Sequence, residues 1–83
     1  MSYRVELVKQ AQKDLRGLSG GNLERVASAL EDMKENPCGG DHKKLKGSEI
    51  HRTRVGNYRI LFSLDSSARQ VLVRRIVDRK DAY

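Results

Sequence analysis

Arg52, Arg54 and Arg59 stand where strand alternation and a turn signal would gather guanidinium groups. Ile50, Arg52 and Arg54 fall on one side of an extended run, and His51, Thr53 and Val55 on the other. Gly56-Asn57 carries hairpin-turn chemistry, so Arg54 and Arg59 are expected close together across two paired strands. Like charges that near one another cost stability, so their convergence calls for an anion between them. An arginine fork suits phosphate, which it contacts through two parallel donors in one plane. Arg75, and then Arg79-Lys80, extend the basic set toward the end of the chain. The competing reading leaves these arginines in water or paired with Glu49, Asp65 and Asp78.

The charge balance supports a polyanionic or acidic partner. The chain has 83 residues and a net charge of +6. Residues 1–41 carry six bases and seven acids, whereas residues 42–83 carry eleven bases and four acids, a local +7. So strong a field on so short a chain favours nucleic acid or an acidic protein. No stretch approaches the roughly 20 apolar residues of a membrane span. The opening Met1-Ser2-Tyr3-Arg4 leads directly into an amphipathic segment without a signal-peptide run. Cys38 is the single cysteine, and no Cys/His cluster for zinc is evident from the spacing. The expectation is one cytosolic domain over residues 1–83, with no metal and no cofactor.

The elements that must position the arginines follow from periodicity. Tyr3, Val5 and Leu7 alternate with Arg4 and Glu6, predicting a half-buried strand over about residues 2–8. Val8, Ala11, Leu15 and Leu18 recur at helical spacing through Lys9–Leu18. Ser19-Gly20-Gly21-Asn22 breaks that helix, with a glycine C-cap and Asn22 as the next N-cap. Leu23, Val26, Ala27, Leu30 and Met33 form a second apolar stripe, ending near Asn36 because Pro37 follows. Residues 37–41 read as a loop.

After Gly47 the pattern changes to period two: Glu49–Val55, Asn57–Asp65 and Arg69–Val77 are three strands joined by short turns. The fold class is α+β: an N-terminal strand at a sheet edge, a two-helix hairpin, then a three-stranded antiparallel meander. The helices cover one sheet face and leave the other to the basic side chains.

Tyr3-Arg4-Val5, Ala11-x-x-Asp14-Leu15-x-x-Leu18, Asn36-Pro37, Lys44-Leu45-Lys46-Gly47, Arg54-Val55-Gly56-Asn57-Tyr58-Arg59 and the closing Asp78-Arg79-Lys80-Asp81-Ala82-Tyr83 together resemble the RelE/ParE superfamily of toxin–antitoxin toxins, on its RelE side. The similarity spans nearly the whole chain. It implies a small RelE-like microbial RNase fold that enters the ribosomal A site and cuts messenger RNA. In that chemistry the ribose 2′-OH attacks the adjacent phosphate without metal. The resemblance assigns Arg54, Arg59, Arg79 and Tyr83 to the catalytic set and Arg52 to RNA binding. It gives Lys44 and Lys46 to a basic loop facing ribosomal RNA, and Arg75 joins the RNA-binding set. It also implies a cognate antitoxin protein as partner, beside ribosome and message.

Attack at phosphorus builds negative charge that fixed guanidinium groups stabilise without reorganising. Arginine itself is too basic to accept the proton, so that role falls to Tyr83, which could instead stack on the base. Many family members place histidine before the terminal arginine; here the residue is Asp78. That removes the side chain best suited to proton transfer near neutral pH. His51 is expected on the opposite sheet face as a packing residue, and His42 as an ordinary loop histidine. Two alternatives stay open: a ParE-like inhibitor of DNA gyrase, and a catalytically weak RNA-binding homologue.

Overall fold

The computed structural model describes residues 2–81. Strand β1 (Arg4–Leu7) leads into helix α1 (Lys9–Arg16) and helix α2 (Gly20–Met33). Strands β2 (Asp41–Lys44), β3 (Ile50–Val55), β4 (Tyr58–Asp65) and β5 (Gln70–Asp78) follow, and Arg79–Asp81 closes as a 3₁₀ turn. The five strands form one sheet in the order β1-β5-β4-β3-β2, with β1 parallel to β5 and every other pair antiparallel. The architecture is α+β, as expected, with β1 at an edge. The meander, however, has four strands: β2 was expected to be loop. Its sequence, Asp41-His42-Lys43-Lys44, has no apolar alternation, so only pairing with β3 reveals it.

The core explains the helix stripes. Ala11 of α1 and Val26, Leu30 and Met33 of α2 pack on Ile60 and Phe62 of β4 and on Val71, Val73 and Ile76 of β5. Each of these side chains larger than Ala11, when fully buried, stabilises the fold by about 1.5–3 kcal/mol. Val73 pairs with Phe62 and Arg75 with Leu61, so Arg74 is an extra residue that bulges β5. Strict alternation from Val71 and Val73 would aim Arg75 into the core. The bulge resets the phase, and Ile76 takes the buried position instead.

Helix ends differ from expectation in detail. α1 stops at Arg16 and is capped by right-handed Gly17 at φ −79°. Ser19, not Asn22, is the N-cap of α2, and Gly20 takes the left-handed turn at φ +55° that reverses the chain. α2 ends at Met33, after which the Glu35 and Asn36 N–H groups still bond the Asp32 carbonyl in a last irregular turn. The β3–β4 hairpin turns at Gly56-Asn57 with Gly56 at φ +60°, a conformation that glycine adopts without steric cost.

Candidate phosphate-binding cleft

Three strands and the closing turn converge on one place. Cross-strand register aligns Asp41 with Arg54, Arg54 with Arg59, and Arg59 with Val77 on a single row across the sheet. The Arg79 N–H donates to the Asn57 carbonyl at 2.8 Å, which latches the C-terminal turn onto the β3–β4 hairpin. As a result Asp41, Arg54, Gly56, Tyr58, Arg59 and Arg79 line one open cleft of about 590 Å³. Arg25 of α2 approaches its rim, since a Cβ on Gly56 would stand 3.7 Å from Arg25 Nη1.

Asp41 is the site residue that sequence reasoning missed. Its carboxylate lies 3.8 Å from Arg52 Nη1 and 3.9 Å from Arg54 Nη1, between the two guanidinium groups. The anion called for by converging arginines is therefore supplied partly from within the chain, by Asp41 rather than by Glu49, Asp65 or Asp78. Asp41 and Arg54 are both more than half exposed, and their separation exceeds hydrogen-bond length. Such a pair contributes at most about 1 kcal/mol, so an incoming phosphate can displace it. No local sequence signal marked Asp41, because its role depends on β2 existing.

The other expected residues divide clearly. Arg52 is buried, 7% exposed, and its Nη1 has no hydrogen-bond partner among the described residues. It sits under Asp41 and does not line the cleft wall. Arg75 is drawn elsewhere: its Nε donates to Asp14 Oδ2 of α1 at 2.9 Å, and it lines a separate depression with Lys13, Gly17 and Lys80. Lys44 ends β2 and Lys46 lies in the turn after it; both are exposed and outside the cleft. Asp78 accepts a hydrogen bond from the Lys80 N–H at 3.1 Å. Tyr83 lies outside the described residues.

Asp14 holds the frame around the site. Partial burial opposes its ionisation, but hydrogen bonds from Arg75, the Ile76 N–H and Gln10 outweigh that and hold the carboxyl below its usual range. The Ile76 contact caps the β5 edge just beyond Val73, where pairing with β1 ends.

The histidines correct the sequence reading. His51 does lie on the helix-covered face, opposite Phe62. His42 is no loop residue: it belongs to β2, and its Nε2 is 2.8 Å from His51 Nδ1. With Cys38 the two histidines form a Cys/His cluster where none was expected, one ligand atom from each lying within 4.8 Å of the others.

Residues 5–83 match the family described as ParE toxin of type II toxin-antitoxin system, parDE. The chain is 36% identical to a Methanocaldococcus jannaschii protein named as a RelE1 toxin, over 100% of this chain and 97% of that one. Its structure is similar to the toxin in the archaeal RelE–RelB complex from Pyrococcus horikoshii OT3, with TM-score 0.85, 26% identity, and coverage of 99% and 100%. It is similar also to the RelBE2 toxin–antitoxin complex from Mycobacterium tuberculosis, with TM-score 0.84, 26% identity, and coverage of 95% and 100%. Among the described residues no helix is long and apolar enough to cross a membrane. A basic cleft set on this sheet, within a match reaching from β1 to the last residue, places the chain in the RelE/ParE family of type II toxin–antitoxin toxins.

Proposed function

We propose that this toxin is a ribosome-dependent endoribonuclease that cleaves messenger RNA in the A site and so blocks translation. The observation that carries the reading is the meeting of Arg54, Arg59 and Arg79 on one open cleft. In this mechanism Arg59 and Arg79 stabilise charge building on the non-bridging oxygens as the 2′-OH attacks the adjacent phosphate. Arg54 binds the same phosphate and exchanges Asp41 for it. Buried Arg52 adds positive potential beneath, in a setting where screening by water is weak. Tyr83 takes the proton-transfer or base-stacking role. Lys44 and Lys46 meet ribosomal RNA, and Arg75 binds RNA once released from Asp14.

Asp78 stands where the family's histidine would be, so this chain is a poor nuclease on free RNA. Holding the message in line on the ribosome supplies what acid–base chemistry does not, an effect that reaches about 7–11 kcal/mol in well-oriented systems. A cognate antitoxin keeps the protein inactive in the cytoplasm; the solved Pyrococcus and Mycobacterium relatives are complexes with such partners. An acidic or amphipathic segment of that partner would neutralise the cleft.

The test is incubation of programmed ribosomes with the wild-type protein and with Arg59→Ala. Cleavage within the A-site codon, lost in Arg59→Ala, is expected. Intact message despite confirmed folding and ribosome binding overturns the reading. The matching family is described as ParE toxin, and a ParE-like inhibitor of DNA gyrase is the second reading. Inhibition of supercoiling without RNA cleavage would select it.

A further inference from the structure

We propose that Cys38, His42 and His51 form a binding site for a divalent transition-metal ion of the zinc class. The three residues come from the loop after α2, from β2 and from β3, and one ligand atom from each lies within 4.8 Å of the others. They are on the helix-covered side of the sheet. His42 aligns with Thr53, whereas neighbouring Asp41 aligns with Arg54 in the cleft, so the two sites back onto each other through β2.

The donor set has the right chemistry. A thiolate and two imidazoles suit zinc or cobalt, leaving a fourth position for water. Cys38 is exposed and both histidines are half-buried, so an ion can enter from solvent. The rings are held in place: their centroids are 5.0 Å apart, and His51 stacks at 5.3 Å on fully buried Phe62. Tetrahedral bonds of about 2.1 Å put two ligating nitrogens about 3.4 Å apart. The rings, now 2.8 Å apart at His42 Nε2 and His51 Nδ1, need only a small opening to admit the ion.

The competing use of these residues is a plain histidine–histidine hydrogen bond. Metal binding replaces it in a balanced way. The bridging proton moves to the outer nitrogen of its own ring, the Cys38 thiol loses its proton to solvent, and three bonds to the ion form. The stack on Phe62 fixes the His51 ring with its Nδ1 facing His42, which holds that nitrogen at the site. Lys44, aligned with His51 across the ladder, repels a cation, but it is exposed and therefore screened.

The test uses the full chain, stripped with a chelator and titrated with Co²⁺ alone. Binding of one equivalent with a thiolate-to-cobalt charge-transfer band is expected, and Zn²⁺ should bleach it. Cys38→Ser should abolish the band and weaken Zn²⁺ binding at least about tenfold. Because Cys38 is the single cysteine, the band has no other source. In a second measurement, Zn²⁺ should slow alkylation of Cys38 in the wild type but not in His51→Phe, which keeps the aromatic stack. No saturable Co²⁺ binding, binding without a thiolate band, or equal protection in His51→Phe would overturn the site.

Discussion

Arg54 and Arg59 are direct cross-strand partners in the β3–β4 ladder, two like charges held side by side at one cleft. Fixed cations of this kind trade stability for function. Replacing either by alanine should lower cleavage on ribosomes by about two to three orders of magnitude. Arg54→Ala should leave the melting temperature nearly unchanged, because the relieved repulsion offsets the weak Asp41 pair it removes. Parallel rate and melting measurements check this, and a variant that loses stability and activity together would contradict it.

Asp41 contacts Arg52 and Arg54, and in the proposed mechanism it competes with an incoming phosphate for Arg54. Asp41→Asn should therefore tighten binding of single-stranded RNA. Its logarithmic salt dependence should also steepen by about 0.7 for each further phosphate that the freed arginines neutralise. Filter binding across a salt series reads both quantities. Weaker RNA binding in a folded Asp41→Asn protein would show that the carboxylate serves the site rather than occupying it.

Asp14 joins α1 to β5 through Arg75 and the Ile76 N–H, and its side chain is only 11% exposed. Asp14→Ala leaves that N–H and a guanidinium without their acceptor. It should cost about 1.5–3 kcal/mol of unfolding free energy, the range for hydrogen bonds to charged groups. Urea denaturation measures it. A loss under about half a kcal/mol would mean that water replaces the carboxylate.

Acid should weaken the fold in two stages. The His51 pKa is lowered from 6.5 by burial and by His42 and Lys44, so the unfolded chain takes up the proton more readily. Its contribution is complete above pH 6.5 and drains away as pH falls through the folded value. Asp14, lowered from 3.8, contributes above that pH and is lost only on further acidification. Melting curves in chelator-treated buffer should show the first stage diminished in His51→Phe. An unchanged first stage would assign it to another group.

How much of this was legible in the sequence differs from element to element. The Arg54–Arg59 pairing was readable, because Gly56-Asn57 fixes a two-residue turn and the turn fixes the register. The core stripe of Val26, Leu30 and Met33 was readable for a similar reason, since helical period depends only on neighbours. Arg75 was misleading: its destination depends on the bulge at Arg74, which no simple alternation announces.

The sequence by itself determined the α+β order, the basic half and the hairpin that pairs two arginines, all of which arise from short-range periodicity and turn chemistry. Only the tertiary structure decided that polar Asp41-His42-Lys43-Lys44 is a strand. That one pairing sets Asp41 between Arg52 and Arg54 and His42 against His51. A strand without apolar alternation has no pattern of its own to read. Its structure comes from hydrogen bonds offered by β3, and those exist only once the chain has folded.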